Sequence, residues 1–413
     1  MKKSNFTPEL LAPAGSLEKL KTAFLYGADA VYIGGESYSL RVAAENFSSE
    51  EIKEGIEFAH NLGKKVYITA NIIPHNNDLS GFETYIKEVK AYGADAVIIS
   101  DLGLFSIAKE AAPNLDIHIS TQANNVNYAT CNMWHKMGAK RVILARELSF
   151  KEIAEIREKT DEALELEAFI HGAMCISYSG RCLLSNYLTE RDSNLGACSH
   201  PCRWKYSLEE ETRPGEHFPV FENERGTFIF NSKDLCMIEH IPELIESGLT
   251  SFKIEGRVKT EFYLATVVKA YRDAIDDYLN NKDNYKFNSK YLDEIKKVSH
   301  RDYTTGFYFK KPASDSQNYK TSSYIRNYEL LGIVSGYDEK TKLVSVIQKN
   351  RFFEGSSVEI LRPKSDFLEL KIKDLQDADG NKLEVANRPQ EVAKFYSEIP
   401  VETGSLLRGK RNL

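Results

Sequence analysis

Four stretches of this chain repeat one grammar. YGADAVYIGG from Tyr26, YGADAVIISD from Tyr92, MGAKRVILAR from Met137 and SGLTSFKIEG from Ser247 each set a glycine where a helix must stop. The chain then turns within a few residues and runs an apolar strand into a polar loop. A unit of this kind forces strands and helices to alternate, and strands that are apolar on both faces must be covered on both. Extending the pattern gives strands at Leu10–Pro13, Ala30–Gly34, Lys65–Ala70, Ala96–Ser100, Ile117–Ser120, Arg141–Ala145, Glu167–His171 and Ser251–Glu255. Helical segments separate them. Eight strands in serial order fit a closed (β/α)8 TIM-like barrel better than a doubly wound open sheet, whose halves would be joined by a crossover.

The barrel reading assigns residues 1–290, with a cysteine-rich insertion at 172–236. Residues 291–327 follow a different grammar: the aromatic stretch HRDYTTGFYFK begins at His300, and the polar, linker-like PASDSQNYKTSS comes after it. Residues 328–413 read as a small antiparallel β-barrel domain, with strands at Leu330–Val334, Leu343–Gln348, Ser357–Leu361 and Phe367–Ile372. The RGKR run from Arg408 reads as a solvated tail, with phosphate contact as its alternative. No apolar run of about 20 residues occurs, and none follows the two lysines near the start. A cytoplasmic protein without membrane spans is therefore expected. Against 60 Asp and Glu stand 54 Lys and Arg, a formal charge of -6, so any contact with nucleic acid needs a local basic face.

In a barrel, residues after the strand C-terminal ends share one rim and one pocket. Here those residues are Gly34 with Gly35, Asn71, Ser100 with Asp101, Gln122 with Asn124, Arg146 with Glu147, His171, and Glu255 with Arg257. His171 follows the seventh strand and is either a core histidine or a rim residue that binds substrate or moves a proton. Glu255 and Arg257 follow the eighth. They either pair structurally, or Arg257 grips a carboxylate or phosphate while Glu255 orients another group. Gly34 and Gly35 lack the GxGxxG arrangement of a dinucleotide fold, and no P-loop or kinase pattern occurs. Gly34 reads as a loop glycine at the rim.

The segment HGAMCISYSGRCLLSNYLTERDSNLGACSHPCRWKY from His171 holds four of the six cysteines: Cys175, Cys182 after six residues, Cys198 after fifteen more, and Cys202 after three. Cys236 lies beyond an expected hairpin between Lys205 and Phe230. Structural zinc sites bring their ligands in two close pairs, which this spacing does not. An iron-sulfur cluster tolerates wider spacing. The residues leave three readings open: a metal or iron-sulfur site, a catalytic thiol with His171 or His200 as base, and cysteines that are merely buried. Cys131, within a helical segment beside Met133 and Trp134, reads as packing. Tyr178, Arg181, Arg203, Trp204 and Lys205 offer charge and stacking beside the cysteines, or ordinary surface.

The chain resembles the collagenase-like peptidase family of unassigned catalytic type, and within it the tRNA uridine hydroxylation branch. The likeness runs through ELLAPAGSLEKLKTAFLYGADAVYIGG from Glu9, the cysteine segment, NSKDLCMIEHIPELIESGLTSFKIEGRVKTEF from Asn231, and HRDYTTGFYF. It implies formation of 5-hydroxyuridine at wobble position 34 of the tRNA anticodon region, with prephenate as cosubstrate and a possible accessory protein. It also implies a 4Fe-4S cluster on Cys175, Cys182, Cys198 and Cys236, with Cys202 as an extra thiol and the rival for third ligand. Under this reading His171, Glu255 and Arg257 form the catalytic group at the rim, Arg257 holding the acidic cosubstrate. A cysteine-dependent peptidase, a barrel enzyme acting on a small metabolite, and an RNA-binding module without a reaction of its own are the competing readings.

Overall fold

The computed structural model describes residues 7–39, 46–174, 184–191, 198–199, 201, 207–209, 217–219, 233–310 and 324–411. Seven parallel strands open the chain: β1 (Glu9–Pro13), β2 (Ala30–Gly34), β3 (Lys65–Ala70), β4 (Ala96–Ile99), β5 (Asp116–Ile119), β6 (Arg141–Ile143) and β7 (Glu165–Ala173). Helices α1 (Leu17–Leu25), α2 (Ser49–Asn61), α3 (Phe82–Ala91), α4 (Leu102–Ala111), α5 (Tyr128–Lys136) and α6 (Phe150–Glu158) connect them. The helix starts are written locally. Ser48 and Ser149 each close a capping box, with Glu51 and Glu152, which satisfies amide donors that the first turn leaves without partners.

The insertion carries α7 (Leu184–Thr189) and the expected hairpin, seen as β8 (Ser207–Glu209) against β9 (His217–Pro219). It returns through β10 (Asp234–Cys236) and α8 (Ile241–Glu246) to the eighth barrel strand, β11 (Ser251–Ile254), which pairs in parallel with both β7 and β1. That double pairing closes the barrel, as the repeats require. Helix α9 (Glu261–Asn280) then lines the wall, and α10 (Lys290–Ile295) leads to the two-residue strand β12 (Tyr303–Thr304).

At the N-terminal ends of the strands the barrel is plugged by charge. Arg141, the first residue of β6, reaches Glu9 at 2.6 Å, Glu165 at 2.6 Å and Glu167 at 2.9 Å. Glu167 also receives Lys253 Nζ at 2.9 Å, and Tyr67 donates to Glu9 at 2.6 Å. These side chains stand on the inward face because they share the alternation of their strands. Buried charges persist only when paired in this way.

The second sheet comprises β13 (Tyr328–Asp338), β14 (Leu343–Gln348), β16 (Ser357–Leu361), β17 (Leu368–Lys371), β19 (Val392–Tyr396) and β20 (Leu406–Lys410), in the order β17-β16-β20-β13-β14-β19. All its pairings are antiparallel, and a small ladder of β15 (Phe352–Phe353) with β18 (Val385–Ala386) lies beside it. The expected solvated tail at Arg408 is corrected here. Arg408 lies in an internal strand, fully buried, with Nη2 at 2.6 Å from Glu294 of α10 and 2.7 Å from Glu359 of β16. Its charge is a bolt between the two domains. Among the described residues no helix is long and apolar enough to cross a membrane.

Candidate functional site

The chemistry-bearing residues gather where β7 outruns β11. Pairing between the two slips after Phe169 opposite Lys253, so that His171 comes to face Ile254. The slip leaves Ile170 without an opposite residue on β11. Gly172, two residues on, has a φ of 109° that favours glycine, and a Cβ there would lie 2.6 Å from the Glu255 carbonyl oxygen. Beyond the slip β7 pairs antiparallel with β10, His171 opposite Cys236 and Ala173 opposite Asp234.

His171 therefore leaves the barrel interior and enters a pocket of rings. Tyr271 and Tyr263 of α9 stand 5.5 and 6.0 Å from it, and Tyr303 of β12 stands 5.6 Å away. Burial, with Lys259 and His300 adding to it, pushes the imidazole down to about 3, so it is neutral at physiological pH. Tyr271 is the hub. Its hydroxyl donates to the Ile170 carbonyl at 2.9 Å, accepts from Met237 N at 2.9 Å, and lies 3.4 Å from His171 Nδ1 and 3.9 Å from Cys236 Sγ. Burial pushes the Cys236 thiol up to about 12, so a metal would have to displace its proton.

The aromatic stretch from His300 clasps this pocket. His300 stacks on Tyr303 at 4.6 Å, Arg301 N donates to Asp234 at 3.1 Å, and Tyr308 OH donates to the Phe169 carbonyl at 2.7 Å.

Arg257 sits in another neighbourhood, over the ends of β2 and β3. Nη1 donates to Ser39 at 2.6 Å and Thr69 at 3.1 Å, and Nη2 donates to Asn46 at 2.8 Å. Gly34 is what admits it. A Cβ on Gly34 would lie 2.4 Å from Arg257 Nη1, so the glycine read as a loop residue also makes room for the guanidinium. Glu255 is the hinge between the two neighbourhoods: its N donates to the His171 carbonyl at 2.8 Å and its carbonyl accepts from Tyr263 OH at 3.0 Å. Of the remaining rim residues, Arg146 donates to the Ala173 carbonyl at 2.7 Å, and Glu147 has a buried Oε2 without a hydrogen-bond partner among the described residues. Burial raises the Glu147 carboxyl above the usual range.

Of the cysteine set, Cys236 is buried and Cys198 half-buried; Cys175, Cys182 and Cys202 lie outside the described residues, as do Tyr178, Arg181, His200, Arg203, Trp204 and Lys205. Cys198 is held beside α7 through its neighbour Ser199, whose N donates to Ser185 Oγ at 3.0 Å. Among the described residues no three metal-ligating side chains converge. Cys131 is buried in α5, as packing requires. Sequence reasoning missed Tyr271 and Tyr303: tyrosines at helical spacing look like core, and only the slip of β7 shows what they surround.

The pattern of peptidase family U32 matches residues 15–318, and that of the peptidase family U32 C-terminal domain matches residues 326–408. A Bacillus subtilis protein named tRNA hydroxylation protein P1 is 42% identical over 97% of this chain and 94% of its own length. An Escherichia coli protein named tRNA hydroxylation protein P is 40% identical over 92% of each. The E. coli 23S rRNA 5-hydroxycytidine C2501 synthase is 35% identical over 66% of this chain and 40% of its own length. With both patterns matched in order and relatives aligned nearly end to end, the chain belongs to peptidase family U32.

Proposed function

We propose that this protein hydroxylates tRNA, forming 5-hydroxyuridine at wobble position 34 in a prephenate-dependent reaction, with a 4Fe-4S cluster held by Cys175, Cys182, Cys198 and Cys236. The carrying observation is the end-to-end likeness to proteins named for tRNA hydroxylation, in both domains. Of the four thiols, Cys236 supports this reading as a buried, soft sulfur ligand in a ring-lined pocket. The bound cluster supplies one-electron chemistry. The residues of the chain do the rest. The rings of Tyr263, Tyr271 and Tyr303 exclude water, and Tyr271 orients His171. Arg257 receives the carboxylate of the acidic cosubstrate, which must displace Ser39 or Asn46 from the guanidinium fork.

A thiol-imidazole nucleophile, which the peptidase alternative needs, is disfavoured for Cys236 with His171. Burial holds the thiol protonated and the imidazole too weakly basic to take its proton.

Mass analysis of tRNA nucleosides from a deletion strain tests the reading. Selective loss of 5-hydroxyuridine-derived species is expected; unchanged nucleosides with altered peptide turnover overturn it. Anaerobically purified protein should hold about four iron and four sulfide per chain. Serine at Cys198 should empty the site while serine at Cys202 leaves it filled, and the opposite result transfers the third ligand to Cys202.

A further inference from the structure

We propose that a path of cations without ion pairs among the described residues leads from the barrel rim onto the end of the β domain and carries the phosphate backbone of the RNA substrate. The inference rests on the tRNA reading above and adds where the RNA lies.

The path begins in the turn after β11. Lys259 Nζ lies 4.5 Å from the centre of the Tyr324 ring, and the Arg326 guanidinium lies 6.0 Å from the same ring. Buried Arg301 donates to the Tyr324 hydroxyl at 2.9 Å and stands 4.9 Å from the ring. From this cluster the chain passes directly into β13. Arg411 N donates to the Asn327 carbonyl at 2.9 Å, and Tyr328 pairs with Lys410. Lys410 and Arg351 line a cavity of about 700 Å³ at the end of the sheet, together with Phe353, which is 45% exposed. An adjoining cavity of about 510 Å³ shares Arg351 and adds Lys349 and Arg411.

Lys259, Arg326, Lys349, Arg351, Lys410 and Arg411 form no ion pair with a described carboxylate. Glu329, Glu359 and Glu369 also line the larger cavity, and Glu329 the adjoining one, but Glu359 is taken up by Lys297 at 2.8 Å and by Arg408, which leaves Glu329 and Glu369 against Lys349, Arg351, Lys371, Lys410 and Arg411. A local excess of positive charge on a chain of net charge -6 is an electrostatic footprint for a polyanion. Its length, from a barrel loop across strand ends of a second domain, suits a repeating charge better than one carboxylate. The exposed ring of Phe353 adds a face on which a base can stack. A tRNA whose anticodon loop enters the rim would lay its flanking phosphates along this path, contacts that position the substrate without reading its sequence.

The test is binding of an unmodified tRNA transcript to the full chain, followed by fluorescence anisotropy from about 50 to about 200 mM salt. Each lost phosphate contact lowers the slope of log affinity against log salt by roughly 1. The variant R351A/K410A/R411A should therefore lose a slope of about 3, while the charge-conserving R351K/K410R/R411K keeps it. On the barrel side K259A/R326A should lose about 2, which provides a second reading if the first variant folds poorly. A wild-type protein that binds tRNA, with folded alanine variants of unchanged slope, overturns the path alone. A wild-type protein with no affinity for tRNA sinks the hydroxylation reading and the path together.

Discussion

The Tyr271 hydroxyl has one proton and four neighbours. That proton goes to one acceptor at a time, and the Ile170 carbonyl at 2.9 Å is nearer than His171 Nδ1 at 3.4 Å or Cys236 Sγ at 3.9 Å. Met237 N bonds both the hydroxyl and the Ile170 carbonyl, the latter at 3.0 Å, so it retains a partner if the hydroxyl is removed. Replacing Tyr271 with phenylalanine should then destabilise the barrel by only about 1 kcal/mol, the value of one net hydrogen bond, instead of the larger penalty of an orphaned donor. Urea unfolding would show a lower midpoint at unchanged slope; a loss above about 3 kcal/mol would mean that the hydroxyl organises the pocket more widely. His171, Glu255, Arg257 and Cys236 were all legible in the sequence as candidates, because strand ends and cysteine spacing are local patterns. That His171 and Arg257 occupy separate neighbourhoods was not. The slip at Ile170 and the room left by Gly34 are properties of paired strands, and no single segment displays them.

At the scale of elements, the eight barrel strands were visible because each is an apolar run ending in a polar loop, and β2, β3, β4, β6 and β11 each follow a glycine stop. Strands β10 and β12 have three and two residues, too short to show alternation, and were missed. Strand β20 was missed for another reason: Arg408 and Lys410 mask it, and the partners that neutralise Arg408, Glu294 and Glu359, are 114 and 49 residues away. The element that matters most for the site is the end of β7, where Gly172 follows the slip at Ile170 by two residues. Alanine at Gly172 would suffer twice, from a left-handed backbone and from a Cβ 2.8 Å from that of Glu255. A destabilisation of about 3 kcal/mol is expected, the sum of backbone strain and the shift of a packed ladder. Gly63, with a φ of 68° and nothing within 4 Å of its Cβ position, provides the control. Its alanine variant should lose only about 1 kcal/mol. Equal thermal shifts in the two variants would show that the close approach of Gly172 to Glu255 carries no packing demand.

Across the whole molecule, the candidate site and the charged plug occupy opposite ends of the barrel, and the plug at the N-terminal end is expected to set its response to acid. Glu167 is fully buried, a circumstance that by itself raises a carboxyl. Lys253 and Arg141, each 2.9 Å away, outweigh that burial and hold Glu167 below the usual range. A depressed folded value means that the native state favours the ionised carboxylate more than the unfolded chain does. Its contribution is therefore complete above the ordinary glutamate value, about 4.3, and is lost as pH falls through the lower, folded value. Glutamine at this position keeps the shape but leaves two buried cations short of a charge, and should destabilise the barrel by about 3 to 5 kcal/mol at pH 7. The variant has no carboxylate to protonate here, so its stability should fall less steeply in acid, and the gap to wild type should narrow below about pH 4. Urea unfolding of both proteins between neutral pH and about pH 3 measures that gap. A gap that is absent at pH 7, or that widens as pH falls, would mean that Glu167 is not the group through which acid loosens the barrel.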